Sequence, residues 1–233
     1  MKRFYEVAGT KVLEDGVGVS VELDGRPVRT PAKHILALPN VELAEVIANE
    51  WAAQGEEVKP DSMPFMRLAC TAHDHVRDTL AERAAEAARY AETDVVCYRV
   101  EQPSGLVARQ RETWDPLLKW MEEQYSCRFE VTDTTLAIAQ PPETLARIRA
   151  VVDEHDEWTL TALLNVVRPA GSLVIGLALM EQRLSVEEAW AASQIEETWQ
   201  IEHWGEDEEA TERRDGLRAE LVNAARLFGL LRN

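Results

Sequence analysis

The first forty residues contain two Asp-Gly dipeptides between valine-rich runs, and this pattern constrains the fold more than any other feature of the chain. Asp15-Gly16 and Asp24-Gly25 both lie in the segment 11–31, KVLEDGVGVSVELDGRPVRTP. Asp-Gly suits the two-residue loop of a β-hairpin because both central residues of a type I′ turn have positive φ. Two consecutive hairpins therefore predict an antiparallel β-meander at the N-terminus.

Helical periodicity dominates the rest of the sequence. Asn40 stands where a helix N-cap is expected, and Gly55 provides a stop signal. A long alanine-rich helix is predicted over 65–94, and EQPSG (101–105) has the composition of a domain boundary. Beyond it, helices are predicted near 109–126, 140–154, 157–181, 185–204 and 207–230. The prediction is an α+β fold with two domains: residues 1–104 form a β-meander packed with helices, and residues 105–233 form an all-helical bundle.

Charge and hydropathy exclude several functions. The 233-residue chain has a formal net charge of −17, which repels nucleic-acid backbones and anionic lipid surfaces. The most apolar stretch, Ala170–Met180, is too short to span a bilayer, and no apolar leader is recognised at the N-terminus. We therefore expect no nucleic-acid partner, no membrane insertion and a cytoplasmic location. Basic protein surfaces or small molecules are the more plausible partners.

Motifs for catalysis are weak. The sequence contains neither a GxSxG elbow nor a Walker lysine. On a regular helix His73 and His75 point about 200° apart and cannot share an ion, which favours one buried and one solvated histidine. The segment 200–209, QIEHWGEDEE, has one histidine and five acids, too few imidazoles for a typical zinc site. We predict no catalytic residue and no cofactor; the alternative is a metal-assisted hydrolase using His203 with Glu202, Glu206 or Asp207.

Two faces are predicted on a single helix over 185–204. At 100° per residue, the core face consists of Val186, Trp190, Ile201 and Trp204. If the helix persists through Gly205, a second face consists of Glu188, Ile195, Trp199, Glu202 and Glu206. Apolar residues flanked by acids suit a protein interface, with aromatic anchors and a charged rim. Packing against other helices of the bundle is the alternative, and spacing alone slightly favours it.

Several stretches together resemble the F1-ATPase assembly chaperones that bind the α subunit of the ATP synthase catalytic head. They are, in family order, LDGRPVRTPAK (23–33), EWAAQGEEVKPDSMPFMRLACTAHD (50–74), TDVVCYR (93–99), RQRETWDPLLKW (109–120) and ETWQIEHWGEDEE (197–209). The resemblance implies a non-enzymatic, ATP-independent chaperone with a β-containing N-terminal domain and a helical C-terminal domain. Such a protein would bind free F1-ATPase α subunit and shield its β-facing surface until the α3β3 ring assembles.

The resemblance also implies roles for individual residues. Trp51 matches a family position and is expected to support the N-terminal domain, whereas Glu202 stands where the family has a functionally important acid. The expected partner-binding residues are Ile195, Trp199, Glu202, His203, Trp204 and Glu206. Eukaryotic members begin with a mitochondrial targeting segment that is not seen here, which suggests a bacterial member. A general holdase with many clients is a further alternative.

Overall fold

An antiparallel sheet at the N-terminus and a helical remainder make up the structure. This is a computed structural model, and it describes residues 1–14, 16–134 and 136–232. Within these ranges the strands are β1 (Ala8–Val12), β2 (Val19–Leu23) and β3 (Arg26–Pro27), in the order β1-β2-β3. The helices are α1 (Val41–Ala52), α2 (Pro64–Thr71), α3 (Leu80–Arg89), α4 (Ser104–Tyr125), α5 (Pro142–Asp153), α6 (Glu157–Ala170), α7 (Leu173–Met180), α8 (Val186–Ser193), α9 (Ile195–Trp204) and α10 (Glu208–Leu231). The predicted α+β class is confirmed.

The second predicted hairpin turn is present as expected. Asp24 and Gly25 have φ values of 49° and 76°, and Leu23 pairs with Arg26 across the turn. The Asp24 carboxylate also accepts the backbone N–H of Val7 at 2.8 Å, which ties the chain before β1 to the turn. For the first hairpin, β1 and β2 pair antiparallel, whereas Asp15 of its predicted turn lies outside the described residues.

Helix α1 packs against strands β1 and β2. Its N-cap is Asn40, whose side chain accepts the Leu43 N–H at 2.9 Å, as the sequence predicts. Trp51 near its C-terminus is 8% exposed, and the Tyr5 hydroxyl donates to the Trp51 carbonyl at 2.6 Å. Trp51 therefore packs inside the N-terminal part of the protein. The helix ends at Ala52, shortly before the predicted stop at Gly55.

The predictions of long, uninterrupted helices are wrong in three places. The segment 65–94 changes from α2 to a π turn (Ala72–Val76), a 3₁₀ turn (Arg77–Thr79) and then α3. The segment 157–181 is divided because Gly171, with φ 61°, ends α6 and the Ser172 hydroxyl accepts the Ile175 N–H to start α7. A third break at Gln194 separates α8 from α9.

By compactness the chain divides into two units. One consists of Met1–Leu80, Asp156–Ala162 and Arg226–Asn233, and the other of Ala81–His155 and Leu163–Ala225. The domain boundary expected between residues 104 and 105 stays a prediction; compactness groups residues 81–104 with the second unit.

No helix in the described part of the chain is both long and apolar enough to cross a bilayer.

A buried carboxylate organises the start of α7 in the second unit. Asp94 has no exposed surface, and its side chain accepts the backbone N–H groups of Val96 at 3.2 Å and Val174 at 3.0 Å. All eight residues of α7 are buried, so this carboxylate fixes the entry of a core helix. Burial raises the pKa of Asp94 to about 6, although hydrogen bonds from the Ser172 hydroxyl and Val174 N–H act in the opposite direction.

We expect Asp94→Ala to lower the free energy of unfolding by about 2–5 kcal/mol, because two buried backbone N–H groups lose their acceptor. Urea denaturation at pH 7 would measure the loss, with the exposed acid Asp61 changed to alanine as the control. Since the folded-state pKa lies above the unfolded one, the stability contributed by Asp94 falls as pH rises from about 4 to about 6 and is then constant. The difference between wild type and Asp94→Ala should therefore shrink across that window, and a constant difference would contradict the raised pKa.

Candidate partner-docking surface

Helix α9 carries most of the predicted partner-binding residues, but in a different arrangement from the one predicted. The helix begins at Ile195 after the break at Gln194, and it ends at Gly205, whose φ of 85° and ψ of 172° are not helical. The two faces predicted for a single helix over 185–204 are therefore wrong, since residues before and after these breaks do not share one helical phase. Trp204, assigned to the core face, is instead 77% exposed.

The Trp199 ring is fixed by contacts on several sides. The His203 ring stacks on it at 4.3 Å between centroids with an interplanar angle of 25°, and the Arg109 guanidinium lies 4.9 Å from its centroid. Its edge lies against Gly105 of α4, where a Cβ atom would be 2.6 Å from Trp199 Cη2. Trp199 is therefore half-buried, with its position set by α4 as well as by α9.

Glu202 is bound within the molecule by a bidentate ion pair. Its Oε1 accepts from Arg109 Nη1 at 2.9 Å, and its Oε2 lies 2.7 Å from Arg109 Nη2. The hydrogen bond from Arg109 holds the pKa of Glu202 below its ordinary value, and the same bond raises the pKa of Arg109. Because Arg109 also covers Trp199, the Glu202 carboxylate fixes the guanidinium over the aromatic ring.

The other predicted site residues are dispersed. Ile195 is only 7% exposed, so its side chain lies beneath the surface and not on it. Glu206 follows the helix and pairs with Arg214 of α10 at 3.0 Å. Trp204 projects at the end of α9, and its ring centroid lies 5.9 Å from that of His203. We call the group formed by Arg109, Trp199, Glu202, His203 and Trp204 the α9 surface.

Arg109 and Gly105 are the members of this environment that the sequence interpretation missed. They lie on α4, where Arg109 is 93 residues before Glu202, and no helical spacing relates the two segments. The available signal was the resembling stretch RQRETWDPLLKW, which begins at Arg109. The basic residue Arg109 in this stretch could have been proposed as an ion-pair partner of Glu202.

The geometry around His203 does not suit a metal-assisted reaction. Its Nδ1 lies 2.8 Å from the Trp199 carbonyl oxygen, a distance at which Nδ1–H donates to that carbonyl. Glu202 is engaged by Arg109, and the Asp207 carboxylate accepts the Ala210 N–H at 2.8 Å at the start of α10. Among the described residues His203 belongs to no group of three side chains with metal-binding geometry.

Comparisons with known proteins give the family. The model of the family described as ATP12 chaperone protein matches residues 2–122. The chain is similar to the crystal structure of Atp12 from Paracoccus denitrificans, with a TM-score of 0.94 and 37% identity over 98% of this chain and 97% of that one. A structure from Agrobacterium tumefaciens gives a TM-score of 0.93 at 37% identity, over 99% of this chain and 86% of that one.

A curated eukaryotic relative extends the comparison. The mitochondrial protein atp12 of Schizosaccharomyces pombe is 27% identical to this chain over an alignment of 237 residues. The alignment covers 96% of this chain and 81% of the yeast protein. The family match covers more than half of this α+β protein, and it places the protein in the class of chaperones. The chain belongs to the ATP12 chaperone family.

Gly105→Ala tests the contact that positions Trp199. Because the new Cβ would meet the indole at 2.6 Å, we expect a loss of about 1–3 kcal/mol in the free energy of unfolding, measured by urea denaturation. Gly216→Ala in α10 is the matched control, since its Cβ meets nothing within 4 Å, and it should gain up to about 1 kcal/mol from helix propensity. Equal stabilities of the two variants would show that Trp199 moves away at little cost.

Proposed function

We propose that this protein is an ATP-independent assembly chaperone of the F1-ATPase that binds free α subunit and shields its β-facing surface until the α3β3 ring assembles. Membership in the ATP12 chaperone family supports the chaperone role, and the resemblance seen in the sequence supplies the client. The observation that carries the proposal is Trp204, a large aromatic side chain that is 77% exposed and lies next to His203, whose ring stacks on Trp199.

The α9 surface has the chemistry of a protein-binding site. An exposed tryptophan supplies a large apolar area that a partner can bury, and such residues dominate the binding energy of many interfaces. The net charge of −17 favours a partner with a basic surface. Trp204 is therefore proposed as the anchor that contacts the α subunit.

Glu202 is proposed to act by positioning. Both of its oxygens are engaged by Arg109, so a basic group of the client would first have to displace a bidentate partner. The simpler role is to keep Arg109 over Trp199, which in turn stacks with His203 beside Trp204. Reversal of the charge at Glu202 would then place two cations together and disturb the whole α9 surface.

Release is proposed to occur by competition. A free α subunit exposes the surface that its β neighbours cover in the ring, and a large exposed apolar surface promotes aggregation. The β subunit covers that surface over a larger area, so assembly displaces the chaperone without nucleotide hydrolysis.

The cytoplasmic location stays a prediction, which fractionation of the source cells would test.

The first test is co-purification of tagged full-length protein with the α subunit of its own organism. We expect wild type to retain α subunit and Glu202→Lys to lose at least about 80% of it, because displacing Arg109 and Trp199 from their positions in the α9 surface, at a cost of about 1–2 kcal/mol, weakens binding by that order. Glu122→Lys is the matched control: it makes the same charge change at an exposed position of α4, about 20 Å along that helix from Arg109, and should retain the client.

Circular dichroism of each variant shows whether it is folded. Equal losses in Glu202→Lys and Glu122→Lys would mean that net charge and not the α9 surface governs binding. Many retained proteins in place of one dominant client would instead indicate a general holdase.

A double-mutant cycle separates positioning by Glu202 from direct contact with the client. Arg109→Ala and Glu202→Ala each break the ion pair without adding a charge of opposite sign. If Glu202 acts through Arg109, the two single variants and the double variant should lose similar amounts of α subunit in the same co-purification assay. A loss in Glu202→Ala that Arg109→Ala does not share, with both variants folded, would show that the carboxylate itself contacts the client.

A further inference from the structure

Three ligand-type side chains meet in the first unit, far along the sequence from the α9 surface. His34 lies in the loop after β3, and His73 and Asp74 lie in the π turn that follows α2. One ligand atom from each lies within 4.8 Å of the others. Asp74 Oδ1 is 3.2 Å from His73 Nδ1 and 3.6 Å from His34 Nδ1.

Two of the three separations are close to those around a tetrahedral metal ion. Zinc binds imidazole nitrogen at about 2.0–2.1 Å and carboxylate oxygen at about 2.0–2.2 Å, so adjacent ligand atoms of a tetrahedron are about 3.3–3.5 Å apart. The two distances from Asp74 Oδ1 lie on either side of that range. An ion could therefore be held with side-chain shifts of a few tenths of an ångström for those two contacts.

The loop that carries His34 is held in place by its own backbone and by Asp74. The Thr30 N–H donates to the His34 carbonyl at 2.9 Å, and the Lys33 N–H donates to the Thr30 carbonyl at 2.8 Å. The Ala32 N–H donates to Asp74 Oδ2 at 2.9 Å, which leaves Oδ1 directed at both imidazoles. Such an orienting hydrogen bond to the second oxygen of a ligating carboxylate is typical of metal sites.

The π turn explains why spacing alone did not predict this group. Residues His73 and His75 do not share a site: His73 is buried at 9% exposure and His75 is exposed, as predicted. The second imidazole comes instead from His34, some forty residues earlier in the sequence. Single π turns within α-helices occur frequently at functional sites, and this one contributes His73 and Asp74 as adjacent residues.

We propose that His34, His73 and Asp74 bind a Zn²⁺ ion. Two imidazoles and one carboxylate select a transition metal over Mg²⁺ or Ca²⁺. The Asp74 side chain is 3% exposed and that of His34 is 60% exposed, so one side of the group is open and a water molecule can take the fourth position. The ion would fasten the 30–34 loop to the helical segment. This site shares no residue with the α9 surface, so its test is independent of the proposed chaperone function.

Zinc titration of the full-length protein tests the site. Protein freed of its purification tag and dialysed against EDTA should bind one equivalent of Zn²⁺ by isothermal titration calorimetry. Bound Co²⁺ should give the visible absorption bands of a tetrahedral site. We expect His34→Ala to weaken Zn²⁺ binding at least about tenfold, because loss of a residue that only orients a ligand already typically weakens metal binding about 10–100-fold. Because His34 lies in an exposed loop, the metal-free variant should keep the circular dichroism spectrum of wild type.

His75→Ala is the matched control, since it removes a histidine from the same π turn that lies outside the group. It should bind Zn²⁺ like wild type and show the same Zn²⁺-dependent rise in melting temperature, which His34→Ala should lack. No binding of Zn²⁺ by wild type, or equal binding by wild type and His34→Ala, would overturn the proposal. The three side chains would then form only hydrogen bonds between two imidazoles and a carboxylate.

Discussion

The close approach of α9 to α4 at Gly105 is the constraint on which the candidate site depends. Only a residue without a side chain lets the Trp199 indole lie where it does, since a Cβ there would be 2.6 Å from the ring. Helix α4 is also joined to α8, which precedes α9, because buried Trp114 Nε1 donates to the Ala192 carbonyl at 2.9 Å. Gln110 adds a hydrogen bond to Glu196 at 2.8 Å. These contacts bring Arg109 to Glu202 and so produce the α9 surface.

Features governed by local conformational preference were predictable from the sequence. The Asp24-Gly25 turn has the positive φ values that its residue types favour, and Asn40 caps α1 as expected. The breaks between helices were harder to predict from the sequence. Gly171 lies inside an apolar run whose two halves are both buried, so hydrophobic periodicity continues across the break. Gln194 carries no breaker signal at all, because glutamine is a good helix former.

The candidate sites could be predicted only in part, because each is completed by a residue distant in sequence. Trp199, Glu202 and His203 were recognised from one short segment, yet the guanidinium that organises them comes from Arg109. His73 and Asp74 are adjacent, whereas His34 reaches them through a separate loop. Periodicity relates residues on one helix and says nothing about which loop or helix lies beside it. Trp204 was misplaced for the related reason that Gly205 ends α9 just where this side chain projects.

The ion pair of the α9 surface bears on the proposed release of the client. Arg109 and Glu202 are each 43% exposed at the side chain, and exposed ion pairs contribute little net stability because water and salt screen them. The Arg109–Glu202 ion pair therefore fixes the side chains of the α9 surface but adds little binding energy of its own. In the proposed complex, most of the affinity would come from one projecting aromatic side chain, Trp204, and the contacts around it. A single aromatic anchor would then hold an isolated subunit but be displaced by a partner that covers the same surface over the much larger area of a permanent subunit interface.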